Sequence, residues 1–169
     1  MFKKITLILM VALLPLFATA QTVKLGYINS QEVMMMMPEV NDVEKQLAEF
    51  NEKNMKYLQD MDKEIQDKYA KYEQEKDNMT EAIRKVQEEE LMGLQQRLQT
   101  TYQALQQEAQ KKQAELLKPL QDKLMAAIES VSKKQALTMV YDMMSGAIVY
   151  KSETAIDITP AVKKELGIL

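Results

Sequence analysis

Cysteine, histidine and tryptophan are absent from this 169-residue chain, and glycine and proline occur four times each. Without cysteine no disulfide restrains the unfolded chain, so stability must come from packing or assembly. Without cysteine and histidine, thiolate and imidazole metal sites are excluded, as are Ser-His and Cys-His nucleophile pairs. The four glycines, Gly26, Gly93, Gly146 and Gly167, are too scattered to form a phosphate-cradling loop. That argues against ATP-driven work, and no cofactor or metal site is expected. An excess of positive charge is missing too, with 22 Lys and Arg against 25 Asp and Glu and a net charge of −3. Removing Lys3 and Lys4 with a leader takes −3 to −5, which argues against nucleic acid as a partner.

What is present begins with that leader. Lys3 and Lys4 precede an apolar run at 5–17 and a small-residue site, Ala18-Thr19-Ala20. This is the pattern of a secretory signal peptide cleaved near Ala20, too short and wrongly flanked for a membrane span. No cysteine follows, so lipid attachment at a new N-terminus is excluded. The mature chain of 149 residues (169 less 20) is enough for one domain and is expected outside the cytoplasm.

Residues 43–131 carry an apolar stripe that repeats every 11 residues with 4-3-4 spacing. It runs Val43, Leu47, Phe50, Leu58, Met61, Ile65, Tyr69, Tyr72 and resumes at Ile83, Leu91, Leu94, Leu98, Tyr102 and Leu105. It then continues to Leu116, Leu120, Leu124 and Val131, with Asn54, Lys76, Thr80, Gln87 and Gln113 as its polar interruptions. Eleven residues in three turns is about 3.67 per turn, so such helices run nearly straight. The gap at 76–80 predicts a hairpin tip, capped by Asn78 in a box with Glu81 or alternatively by Thr80. A single unbroken rod of about 130 Å remains the alternative.

The first arm, from Pro38 to about residue 75, has eleven acids against six bases and supportive Glu49–Lys53 and Glu64–Lys68 spacings. The second has eight glutamines between Gln95 and Gln113, either a solvated face or a substrate-contacting one. Carboxylates alternate with lysines at solvated helical spacing, so no enzyme is expected. Pro119 falls inside a helical pattern and is expected where the helix bends into another structural unit.

The termini read differently. Residues 23–29 predict a strand, Ser30 is the expected cap of a brief helix over 31–36, and Met34 to Met37 suit either a core contact or an adaptable surface. Residues 136–141 and 147–150 predict two strands about a Ser145-Gly146 turn. Thr159 and Pro160 then open a short helix over 161–166 that ends at Gly167. These β-rich ends can meet only if the long middle folds back. The expected fold is mainly α with a small β part (α+β), a long antiparallel helical hairpin on a small β-rich body. The body would comprise 21–38 and 119–169, and the hairpin 39–118 with its tip near 76–80.

The order of a leader, VKLGYINSQEV, a Lys/Gln/Glu-rich helical middle, LKPLQDKLMAAIESVSKKQALTMVYD and DITPAVKKELG resembles the Skp or OmpH family of periplasmic chaperones. The likeness covers essentially the whole mature chain. It implies a homotrimer whose β body carries three helical tentacles around a cavity. Unfolded outer-membrane β-barrel proteins would be held there, in the periplasm, without ATP. Met55, Tyr57, Met61, Tyr69, Tyr72, Met79 and Met92 are the candidate client contacts, because such side chains adapt to many sequences. For Tyr69 and Tyr72, on the stripe, helix-to-helix packing is the competing role. The net negative chain and the mixed-sign tip at 76–85 argue against direct membrane or lipopolysaccharide binding. A coiled-coil envelope scaffold without clients is the alternative function.

Overall fold

The computed structural model describes residues 23–169, so the expected leader and cleavage site lie outside the described residues. Strand β1 (Leu25–Ile28) leads into helix α1 (Ser30–Met36). Asn29 caps α1, its side-chain oxygen accepting from the Glu32 N–H at 3.1 Å. Ser30, the expected cap, is instead the first helical residue, and its hydroxyl donates to Asp142. Two long helices follow, α2 (Glu39–Glu75) and α3 (Glu81–Lys134), joined by a tight 3-10 turn at Lys76–Asn78. They pack along each other as an antiparallel hairpin, which excludes the single rod. Of the two expected caps of α3, Thr80 is the one used, its hydroxyl accepting from the Ile83 N–H at 3.4 Å. Asn78 lies within the turn itself.

Pro119 does not end α3, which continues through it for four more turns. The helix ends at Lys134, and just beyond it a left-handed Ala136 (φ 52°) closes the end. The Leu137 N–H donates to the Ser132 carbonyl and the Ala136 N–H to the Lys133 carbonyl. That double bond pattern satisfies two last-turn carbonyls, although an alanine stands where glycine is usual.

Strand β2 (Met139–Asp142) and strand β3 (Ile156–Asp157) both pair with β1 in parallel, in the order β2-β1-β3. Leu25 faces Met139 and Tyr27 faces Tyr141 on one side, and Gly26 faces Ile156 on the other. Two expectations are corrected here. The strand expected over 136–141 begins only at Met139, because the helix-closing turn occupies its first residues. The strand expected over 147–150 is absent, and Val149 there is 99% exposed. Gly146 does turn the chain at φ 68°, but no hairpin follows. The connection carries the chain to the far side of β1, where Ile156 and Asp157 pair instead.

Helix α4 (Thr159–Leu166) ends at Gly167 as expected, with φ 71°. Thr159 does not act as its side-chain cap. Its hydroxyl oxygen accepts from the Asn29 N–H at 3.1 Å, while Asp157 accepts from the Thr159 N–H at 2.9 Å. The segment from Ile156 to Thr159 thus ties the C-terminal part of the chain to β1 and to Asn29 just after it.

The core lies where these pieces meet. Ile28, Val33, Leu124, Ala127, Val131, Ile158 and Val162 form one buried cluster drawn from both termini and the last turns of α3. Fully burying each of its larger aliphatic side chains contributes about 1.5–3 kcal/mol. Met37, Val43 and Leu120 form a second cluster at the root of the hairpin. The methionine run is therefore split, with Met37 buried and Met35 and Met36 exposed. Gly26 is closely packed: a Cβ there would stand 2.8 Å from the Leu137 Cδ1 and 3.3 Å from the Val140 Cγ2, so those side chains would have to shift.

Candidate functional site

The arm formed by α2 and α3 is only two helices thick, so contact between them can bury just the line of side chains that faces the partner. Val43, Ile65, Tyr72 and Leu91 of the stripe are buried, whereas Tyr69, Ile83 and Tyr102 of the same stripe are exposed. The repeat fixes the seam, and the missing third layer leaves its margins open.

The two flanks of that seam differ in chemistry. On one, Leu58 and Leu98 lie between Met55 and Tyr102, rimmed by Gln59, Gln95 and Gln99 and a single carboxylate, Asp62, in an open groove of about 470 Å³. On the other, Tyr57, Met61 and Leu94 are interleaved with Asp60, Glu64 and Arg97 around a smaller recess of about 210 Å³. Nearer the tip the helices are joined by a Lys68–Glu90 ion pair and by the Tyr72 hydroxyl donating to Glu88. The bond to Glu90 raises the Lys68 pKa above its ordinary value, and the bond to Glu88, with burial, raises that of Tyr72. At the root, Lys123 pairs with Glu39 and holds its carboxyl below the usual range. These groups fasten helix to helix, and Lys68 and Glu90 also border a small recess of about 110 Å³.

The seven sequence candidates are not brought into one pocket. Met55 lies on the glutamine-lined flank at 61% exposure, and Tyr57 and Met61 on the more highly charged one. Met92 and Tyr69 are exposed, and Met79 is half-buried beside the tip. Tyr72 is 8% exposed and bonded to Glu88, a helix-packing position. Tyr102, at 52% exposure, is an open aromatic that the stripe assigned to the interior. Leu58, Leu98, Gln95 and Gln99 join it in the groove. The glutamine-rich run at 95–113 was the sequence signal for that flank.

A second exposed apolar region lies on the body. Leu25, Tyr141, Val149 and Tyr150 surround an open recess of about 540 Å³. Lys151 sits 3.6 Å over the Tyr27 ring, a cation–π contact that holds the 147–152 segment against β1. Among the described residues, no cluster of three or more carboxylates could hold a metal ion. No described helix is long and apolar enough to cross a membrane.

The model of a family described as "Outer membrane protein (OmpH-like)" matches residues 24–166. A protein of Yersinia enterocolitica named chaperone protein Skp is 26% identical over 149 residues, covering 88% of this chain and 89% of that one. Its namesake in Pectobacterium atrosepticum is 25% identical over 143 residues, covering 85% of each. Among solved structures, an OmpH-like outer membrane chaperone of Caulobacter crescentus superposes with a TM-score of 0.71 at 17% identity, covering 85% of this chain and 83% of that one. That likeness bears on the fold.

Proposed function

This chain belongs to the OmpH-like outer membrane protein family, and from that premise we propose that it is an ATP-independent periplasmic holdase. Its clients are unfolded outer-membrane β-barrel proteins, which it shields from aggregation. The observation that carries this reading is the rows of open apolar side chains on the two flanks of a two-helix arm, Met55, Tyr57, Tyr69, Met92 and Tyr102 among them. A compact protein would cover such rows. Here they stand along an arm whose first helix alone has 37 residues, about 55 Å of rise.

In this reading residues 21–38 and 119–169 form a trimerisation body and 39–118 the tentacle. The open recess around Leu25, Tyr141, Val149 and Tyr150 supports an assembly role for the body, because a monomer gains nothing by exposing it. Three arms then enclose a cavity. Each aromatic or methionine contact with a client is worth about 0.5–1.5 kcal/mol at best, so many together retain and any one breaks alone. Release needs no nucleotide and holding needs no catalysis.

The test is dilution of a urea-unfolded outer-membrane β-barrel protein into buffer with and without this protein, followed by light scattering. Scattering is suppressed near stoichiometric amounts without ATP. Undiminished scattering at several-fold excess refutes the holdase reading and favours a scaffold that binds a folded partner.

A further inference from the structure

The two flanks of the arm are unequal in a way that the holdase reading does not require. On α3, Met92, Gln95, Gln99, Tyr102, Gln106, Gln110 and Gln113 recur at three- and four-residue steps, so they share one face. All of them are exposed, and none is charged. Opposite them on α2 the same side presents Ala48, Asn51, Met55, Gln59 and Gln66, with Glu44 and Glu52 at the same three- and four-residue steps. Asp62, which lines the groove itself, accepts a hydrogen bond from the Gln66 amide at 2.6 Å. The other flank carries Asp60, Glu64, Arg97 and the Lys68–Glu90 pair. A solvated helix face needs no such segregation, and the neighbouring faces of these helices bear mixed charge.

We propose that this glutamine-rich flank is the side of the arm that receives a client, and that it selects alternating apolar and polar segments poor in acidic side chains, in extended form. The inference rests on the holdase reading and assigns it a face. Every residue of an unfolded chain carries an N–H and a C=O that need partners once water is displaced. A glutamine amide offers both a donor and an acceptor, so a row of them can satisfy an extended backbone of any sequence. Leu58, Leu98, Met55 and Tyr102 between those amides receive the apolar side chains that alternate along such a segment.

The dimensions agree. From Met92 to Gln113 the helix rises about 31 Å, the length of nine or ten extended residues. A membrane-spanning β-strand has about 9–11 residues and alternates in just this way. The electrostatic match is equally direct. An acidic side chain gains no partner on this flank, whose own charges are carboxylates, and loses water on entering it. Acidic segments also meet an α2 that carries eleven acids against six bases.

The test compares two double variants that make the same chemical change on different faces. Gln95→Glu/Gln99→Glu charges the groove, while Gln96→Glu/Gln107→Glu charges exposed positions on the outer face of α3. Glutamine and glutamate have similar helix propensity, so both variants keep the fold, as circular dichroism will verify. The probe is a urea-unfolded outer-membrane β-barrel protein, titrated against each variant of the full mature protein. Affinity falls about five- to tenfold when the groove is charged, because anions there are desolvated by the client. It changes by less than about twofold when the outer face is charged. A benzophenone amino acid at position 99 crosslinks to the client, and one at 107 does not.

Equal losses from the two double variants overturn the assignment, as does crosslinking from 107 but not 99. Crosslinks from 99 only to a second copy of this chain also overturn it, assigning the flank to arm–arm contact. These outcomes leave the holdase reading intact, whereas failure of the unsubstituted protein to bind the client removes both.

Discussion

Ile65→Ala is expected to loosen the arm without loosening the body. Ile65 is one of the few buried side chains along the arm, where only the facing helix covers it. Removing a buried isoleucine down to alanine costs about 2–5 kcal/mol in a packed core. The lower end applies here, because a two-helix layer can close over the gap more easily than a cluster enclosed on all sides. The nearest buried side chains of the body, Met37 and Leu120, lie together at the hairpin root, and Met37 is 28 positions (65 less 37) before Ile65, about 40 Å of helical rise. The loss is therefore local. A cost of about 2 kcal/mol corresponds to roughly a thirtyfold drop in amide hydrogen-exchange protection. It should fall on α2 and α3 around residues 58–72 and 88–102, with protection of β1 and of the last turns of α3 unchanged. Hydrogen exchange read by mass spectrometry measures both regions in one experiment. An equal loss of protection in β1 would refute the reasoning, since it would make arm and body one cooperative unit.

Three further substitutions probe the joints of the fold. Ala136→Gly removes a left-handed alanine at the end of α3 and should stabilise by about 0.5–1 kcal/mol, seen as a higher Tm; a lower Tm contradicts the end-cap assignment. Pro119→Ala restores a helical N–H at an exposed position and should stabilise by up to about 3 kcal/mol, whereas destabilisation would mean that the helix depends on the proline ring. Burial pushes the Asp142 carboxyl up, but hydrogen bonds from the Ser30 hydroxyl and from the Met144 and Ser30 N–H groups outweigh it and hold the pKa below its ordinary value. A lowered folded pKa stabilises above the unfolded value near 3.9, and that stabilisation disappears as pH falls through the folded value. The Tm advantage of the native chain over Asp142→Asn should therefore be full at neutral pH and shrink below about pH 4, and a constant difference would sink this assignment.

The arm was legible because its information is local and repeated. The 11-residue stripe located Val43, Ile65, Tyr72 and Leu91 on the seam, and the polar gap at 76–80 located the tip. The body was less legible because its pairing is long-range. Ala147 to Tyr150 follows a glycine turn and is as apolar as a strand, yet β1 takes Ile156 and Asp157 as its neighbours. Nothing in the local sequence distinguishes a parallel partner that arrives from the other end of the chain. The caps failed for a related reason, since Thr159 and Ser30 spend their hydroxyls on Asn29 and Asp142 across the body. At the candidate surface the residue types were visible but their flanks were not. Met55 and Tyr57 are two positions apart and face different chemistry. Tyr102 keeps the phase of the seam and still stands open, because no third helix covers it.

The holding of one unfolded client between three arms is most directly tested by the native mass of the soluble complex formed after dilution of an unfolded outer-membrane β-barrel protein. A mass equal to three copies of this chain and one client, formed without nucleotide, is the predicted result. A complex with one copy of this chain, or no soluble complex at all, would contradict it.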